Sequence, residues 1–380
     1  MVMTYIRKES KKILFITSSS INGGAQKHIR EMFRSLTDAG HIVFLAAPDG
    51  WLTSELSVYK KRIVIFTSQM EGLRKIVHLM DTLSPDITNT FILSGGILGT
   101  RAWRKKKYGK LFVTVNNPVI YDGISWYNRL LYPFLYRWMS RYASAFLVKS
   151  DTVRDEVSCV IKSNKPVLSI KNGIDFNIFD RNATYHSLRE VLGIKPTDVV
   201  VCNVAVLSER KGQRQLIEAA AMLRDKYPVK VVIAGDGPAR KDLESAARQQ
   251  KVDDIVFFLG SRSDVNSVLA NSDIFVLSSY HEGLPNSLME AMAMGLPCVA
   301  TDVGGVRQLI DDRKNGIVVR PKSSDEIARA IAGLIENPGV MKAYGDNAFV
   351  MMKNEYSQET VTKELETIYE QLKDVPPPPM

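Results

Sequence analysis

Two glutamates and a polar turn crowd into one stretch, SSYHEGLPNSLMEAMAMGLPCVATDVGG (278–305). An apolar run at 274–279 ends in a turn holding Glu282, Gly283 and Pro285. A helix is expected to begin near Asn286, carry Glu290 about one turn inside, and close at Gly295. Glycine lets backbone approach a ligand closely, and the amides of a helix start favour phosphate. Asn286 and Ser287 suit that terminus, and a carboxylate at Glu290 suits acceptance of hydrogen bonds from sugar hydroxyls. The ordinary alternative makes Glu282 a loop charge, Asn286 a cap and Glu290 a solvated helix residue. Against it, MEAMAMGLPCVA is too apolar to face solvent, so Glu290 needs a partner to offset the cost of its burial.

The elements that must hold these residues can be read from short Val/Ile/Phe-rich runs alternating with longer helical patterns. The first half has such runs at 12–19, 41–47, 62–67, 87–93, 110–117, 145–150 and 167–173; the second has them at 199–207, 229–237, 255–260, 274–279, 297–302 and 316–320. Continuous rather than alternating apolar runs belong to strands buried on both faces, as in a parallel sheet between helices. Two successive sets imply an α/β chain of two Rossmann-like, doubly wound domains. The expected boundaries give an N-terminal domain over 1–175, a C-terminal domain over 176–355, and a helix with a Pro-rich tail over 356–380. Polar and turn residues in NGIDFNIFDRNAT (172–184) mark the break. Ligands gather at the carboxyl ends of parallel strands, so two such domains with those ends opposed would leave a cleft.

Composition narrows the class. The 380 residues are 45% hydrophobic and 24% charged, as in a soluble globular chain. Three scattered cysteines, Cys159, Cys202 and Cys298, make neither a disulfide framework nor a CxxC metal site. There is no apolar leader at the start and no run of about 18 apolar residues, so a cytoplasmic chain is expected. Charge is uneven: residues 1–180 carry 26 basic and 14 acidic groups, a net of +12, whereas residues 181–380 carry 24 and 27, a net of −3.

Around Glu282 and Glu290 the sequence resembles the retaining, nucleotide-sugar-dependent glycosyltransferases of family 4, which have the GT-B fold and a Glu–seven residues–Glu motif. The resemblance extends to GGAQKHIREMFRSLTDAGHIV (23–43), NGIDFNIF (172–179), VAVLSERKGQRQLIEAA (204–220) and VIAGDGP (232–238), and covers roughly 12–370. It implies that Glu290 binds the ribose hydroxyls of the donor and that Glu282 touches hydroxyls of the transferred sugar. Amides around Asn286, Ser287 and Leu288 would meet the diphosphate, with Gly283, Gly24 and Arg262 grouped on the donor. Lys211, with Arg210 beside it, would neutralise charge on the departing nucleoside diphosphate, where fixed cations help most. Gly23, Asn116 and Asn117 fall on the acceptor side. In this family the acceptor is thought to arrive on the leaving-group face, the departing phosphate helping to take its proton, and domain closure would exclude water. UDP is favoured as the nucleotide because it is common in the family, and the C-terminal helix would return towards the N-domain.

This chain departs from the family pattern at two positions. Val206 stands where an Arg is common, and Asn116–Asn117 stand where a His is frequent; Asn can donate a hydrogen bond but cannot share a proton near neutral pH. These two departures are the best support for the alternative, a non-catalytic nucleotide-sugar or lipid binder with the same fold. A glycosidase would need carboxyls roughly 5–5.5 Å apart, whereas eight helical residues span roughly 12 Å. There is no Asp-x-Asp and no His/Cys cluster, so no metal or cofactor is expected. Neither SSSINGGAQ nor GDGP completes a dinucleotide fingerprint.

WYNRLLYPFLYRWMSRY (126–142) interleaves seven aromatics with three arginines, and RAWRKKKYGK (101–110) adds six basic residues. That composition fits a segment lying on an anionic bilayer, a nucleic-acid surface, or a core helix whose arginines reach outward. The expectation adopted is a nucleotide-sugar donor, a glycan or lipid-linked acceptor, an anionic membrane surface on the basic N-domain (the inner face of the plasma membrane), and no nucleic acid.

Overall fold

The computed structural model describes residues 9–116, 119–120 and 124–371. The chain divides into two compact units. The first takes the chain up to Gly173 and again from Gln358; the second is Ile174–Ser357.

Unit 1 is built on seven strands, β1 (Lys12–Thr17), β2 (Ile42–Ala47), β3 (Ile63–Ile65), β4 (Ile87–Phe91), β5 (Lys110–Val115), β6 (Ala145–Val148) and β7 (Val167–Ser169). All pair in parallel, in the order β3-β2-β1-β4-β5-β6-β7. Its longer helices are α1 (Gly24–Asp38), α2 (Gln69–Leu83), α3 (Leu93–Lys106), α4 (Trp126–Ser140) and α5 (Asp151–Ile161). β1 shows why the apolar runs are continuous. Ile13 and Phe15 enter the core on one face, with Phe33 of α1, while Leu14 and Ile16 enter the other, with Leu98 and Trp103 of α3.

Unit 2 repeats the plan with six parallel strands, β8 (Val199–Val204), β9 (Val229–Ala234), β10 (Val256–Gly260), β11 (Ile274–Leu277), β12 (Cys298–Thr301) and β13 (Ile317–Val319), in the order β10-β9-β8-β11-β12-β13. Its helices include α6 (Gln213–Leu223), α7 (Asn286–Ala293) and α8 (Pro338–Glu355). The thirteen strands fall inside the thirteen apolar runs, but several stop early. β1 ends at Thr17 because Ser18 and Ser19 already turn out of the ladder.

The last helix, α9 (Gln358–Gln371), belongs to unit 1. Its Leu365 and Tyr369 enter the unit 1 core, and Asn89 Nδ2 donates to the Tyr369 hydroxyl at 3.1 Å. His41 Nδ1 accepts from the Lys11 amide at 3.1 Å, so the ring's proton sits on Nε2 and donates to Glu366 at 2.9 Å. The C-terminal helix therefore returns to the N-terminal domain, as expected. The expected Pro-rich tail lies outside the described residues.

Candidate functional site

In an open parallel sheet the crevice forms where consecutive connections leave in opposite directions. In unit 2 that point lies between β8 and β11. From β8 the chain proceeds to β9 and β10 on one side, and it returns through β11 to β12 and β13 on the other. The loops leaving β8 and β11 carry most of the residues singled out above.

The loop after β8 makes a short 3-10 turn over Glu209–Lys211 and is closed by Gly212 at φ 63°. A Cβ on Gly212 would lie 2.0 Å from Ser278 O, so the turn can dock on β11 only with glycine there. Ser278 Oγ donates to Lys211 O at 2.9 Å, and the Tyr280 amide donates to Arg210 O at 2.7 Å. These bonds set Lys211 against the loop after β11. Its Nζ meets Glu282 Oε1 at 2.6 Å, with side chains 16% and 11% exposed. Ser279 Oγ donates to the same carboxylate oxygen, also at 2.6 Å. Lys211 and Glu282, 71 positions apart, thus form one nearly buried ion pair at the switch point.

The Glu282 loop is held from its far side too. Thr301 Oγ1 donates to Ser279 O at 2.6 Å, and the Gly305 amide donates to Gly283 O at 2.7 Å. A Cβ on Gly304, at φ 52°, would come within 2.1 Å of Glu282 O. Beyond the loop, α7 opens with Pro285 at its N-cap and no side-chain capping bond; Asn286, Ser287 and Leu288 are its first three residues. Pro285 has no side-chain acceptor to offer at this helix end, where the aligned backbone dipoles place partial positive charge. Leu288, Met289, Ala291, Met292 and Ala293 are buried, and Glu290 is half-buried one turn down. Gly283 is half-buried in the turn.

The remaining donor-side residues are not part of this ion pair. Arg210 is exposed, as is Val206 at 59%. Arg262 follows β10 and grips its neighbour Asp264 with two bonds of 2.8 and 2.5 Å, which hold that carboxyl below its usual range. In unit 1, Gly23 is the N-cap of α1 and Gly24 its first residue. Asn116 follows β5, and its Oδ1 is buried without a hydrogen-bond partner, so a donor brought by a ligand would satisfy it. Asn117 lies outside the described residues. Unit 1's own switch point, between β1 and β4, holds Ile92 at φ 56°, a costly conformation for a β-branched residue.

Sequence reasoning missed Ser279, Thr301 and the Gly304–Gly305 turn, which fix Glu282. Two serines at the end of an apolar strand and a glycine pair after the next strand were the available signals. It also missed a buried basic pair in unit 1. Lys149, just past β6, lies against His28 Nε2 of α1, with both side chains almost fully buried. Burial pushes the Lys149 ammonium well below its ordinary range, although Glu31 opposes the shift. Burial and then the Lys149 charge push His28 down as well. Among the described residues no group of three or more His, Cys, Asp or Glu could hold a metal ion.

Comparison with known proteins matches both units. Residues 22–177 match the Glycosyltransferase Family 4 model, and residues 185–351 match the Glycosyl transferases group 1 model. The chain is 28% identical over 331 residues to the putative glycosyltransferase EpsD of Bacillus subtilis, covering 86% of this chain and 87% of that protein. It is 33% identical over 248 residues to the alpha-D-kanosaminyltransferase of Streptomyces kanamyceticus, covering 62% and 64%. Crystal structures of Anabaena Alr3699/HepE superpose with a TM-score of 0.84 in complex with UDP and 0.83 with UDP-glucose, at 22% and 23% identity, covering 95% of this chain and 100% of that one.

Proposed function

The chain is a glycosyltransferase of the GT-B fold related to the group 1 and family 4 enzymes, and we propose that it moves a sugar from a UDP-sugar, with retention and without a metal, to a glycan or lipid-linked acceptor. The observation that carries this reading is the Lys211–Glu282 pair at the switch point of unit 2, beside the head of α7. A nucleoside diphosphate suits that arrangement. Its phosphates would take the amides of Asn286, Ser287 and Leu288 and draw the Lys211 ammonium from Glu282. Glu282, so released, would accept from hydroxyls of the sugar, and Glu290 from the ribose. A cation buried before the reaction needs little reorganisation as charge grows on the leaving phosphate, which is where preorganised electrostatics lowers a barrier. The acceptor hydroxyl then adds to the anomeric carbon as the bond to the phosphate oxygen breaks, and its proton passes to that phosphate.

In this reading Arg210 is free to swing toward the diphosphate, Arg262 must first release Asp264, and Gly24 lets phosphate close to the start of α1. Unit 1 handles the acceptor through Gly23, Asn116 and Asn117. The UDP and UDP-glucose complexes of the Anabaena protein favour UDP as the carrier. Relatives named for lipopolysaccharide core and teichuronic acid biosynthesis favour surface polysaccharide or glycolipid as the product. The protein would work in the cytoplasm, peripherally on the inner face of the membrane. Among the described residues no helix is long and apolar enough to cross one.

The test is a panel of nucleotide-sugars scored by thermal stabilisation, since a ligand held only by the folded state raises the melting temperature. A UDP-sugar should stabilise more than the matching GDP- or ADP-sugar, and Glu290→Ala should remove most of the effect. No stabilisation by any nucleotide-sugar would sink the assignment.

A further inference from the structure

In the N-terminal half of α4 only Tyr132 packs against the core, and one whole stripe faces none. Trp126, Leu130 and Phe134 are 77%, 72% and 66% exposed, and Tyr127 and Leu131 lie exposed beside them. Their spacing of i, i+4 and i+8 aligns the first three along one stripe of the helix. The buried residues of α4 are Tyr136, Met139 and Ser140, all near its end. That end anchors the helix in unit 1, and the first two turns project an apolar ridge. Scattered single exposed apolar residues are ordinary, but a contiguous set of this size marks an interaction surface.

The charge around the ridge identifies the partner. Between Asp86 and Asp151 the sequence holds ten Lys and Arg residues and a single acid, Asp122. α3 ends in Arg104, Lys105 and Lys106, and the Arg104 guanidinium lies 4.8 Å over Tyr142 and 6.0 Å over Trp138, so this basic end packs beside α4. Lys106 is taken by Asp81 at 2.6 Å and Arg137 Nε by Val160 O at 2.9 Å. Arg101, Lys105, Lys107, Arg129 and Arg141 are exposed.

We infer that the first half of α4 enters the headgroup region of an anionic bilayer, with Trp126, Leu130 and Phe134 in the apolar boundary and the cations of α3 and α4 on lipid phosphates. Aromatic and aliphatic side chains on one stripe, flanked by cations and lacking acids, are what interfacial binding uses. A second copy of the chain would bring the same positive field against itself, and a soluble nucleic acid would leave Leu130 and Phe134 with nothing to bury. This docking depends on the proposed function only for its purpose, delivery of a lipid-linked acceptor, and its test is independent of donor chemistry.

The experiment is co-sedimentation of the full chain with vesicles of phosphatidylcholine alone or with one third phosphatidylglycerol, at low and high salt. Wild type should bind the anionic vesicles, more weakly as salt rises. Combined Trp126→Ala, Leu130→Ala and Phe134→Ala should lower partitioning roughly a hundredfold. Combined Arg101→Gln, Lys105→Gln and Lys107→Gln should lower it roughly a hundredfold on anionic vesicles and weaken the salt dependence. Both variants should keep the wild-type stabilisation by UDP-sugar, which also reports that they are folded. Equal binding to neutral and anionic vesicles, or none at low salt, would overturn the inference. So would loss of a dimer in the apolar variant with vesicle binding unchanged, or retention of single-stranded RNA in place of vesicles. If vesicle binding fails while UDP-sugar still stabilises, the docking surface is wrong and the transferase reading stands.

Discussion

The ion pair between Lys211 and Glu282 can be taken apart one charge at a time. Exposed pairs are worth about 0–1 kcal/mol, whereas breaking a fully buried one costs about 3–5 kcal/mol. With side chains 16% and 11% exposed, Lys211→Met should fall between these, at about 2–3 kcal/mol, because Glu282 keeps only the Ser279 hydroxyl of its two short bonds. For a unit of this size that is roughly 4–12 °C in melting temperature. Glu282→Gln should cost less, about 1 kcal/mol, since a lysine left without its partner can extend to solvent. The double variant should fall short of the sum by at least about 1 kcal/mol, the signature of two groups in direct contact. Calorimetric titration of the four proteins then separates the roles. Lys211→Met should weaken UDP and UDP-sugar alike, by roughly 10–100-fold, the worth of a charge-assisted hydrogen bond. Glu282→Gln should leave UDP as tight as in wild type or tighter, because the ammonium no longer has to leave a carboxylate, while UDP-sugar loses its advantage over UDP. Equal weakening of UDP and UDP-sugar by Glu282→Gln, or strict additivity in the double variant, would refute the division of labour.

Other sites give shorter tests. Gly212→Ala forces a side chain into a φ 63° turn and against Ser278 O, so it should cost about 1–3 kcal/mol and weaken UDP binding together with stability, as followed by melting and titration. Lys149→Met should raise stability by about 1–3 kcal/mol and flatten its pH dependence. Lys149 and His28 both have folded-state values below their unfolded ones. Their stability is therefore full above the unfolded values and is lost as pH falls, from about 10.4 downward for Lys149 and from about 6.5 downward for His28. Wild type should melt higher as pH rises from 6 towards 10, and a variant with the same slope would contradict this. Tyr369→Phe leaves buried Asn89 Nδ2 without the hydroxyl it donates to and should cost about 1–2 kcal/mol, with UDP stabilisation of unit 2 unchanged.

The sheets were legible because burial on both faces writes itself into composition. A strand such as β1 must be apolar at every position when Ile13 and Phe15 serve one face and Leu14 and Ile16 the other. Where those strands end was less legible, since the chain bends at Ser18 as the ladder stops, and composition does not record hydrogen bonding. The helix at 286–293 could be placed from its glycines, proline and apolar content, and Glu290 with it. What makes a site of these residues could not be read locally, because Lys211 and Glu282 meet only through the order of the strands. Placing β11 beside β8 brings two loops together that the sequence separates by 71 positions. The Lys149–His28 contact has the same origin, a strand end and a helix flank brought together by the sheet, with no local pattern to announce it. The segment 126–142 was ambiguous in the sequence for a different reason. A core helix with outward arginines and an interfacial helix share one composition, and they differ only in which half meets the rest of the unit. In α4 the core claims Tyr136 and Met139 and leaves Trp126, Leu130 and Phe134 in water. Exposure of that much contiguous apolar surface in a folded chain marks an interaction surface, and no composition rule separates that outcome from a buried helix before the fold assigns each half its neighbours.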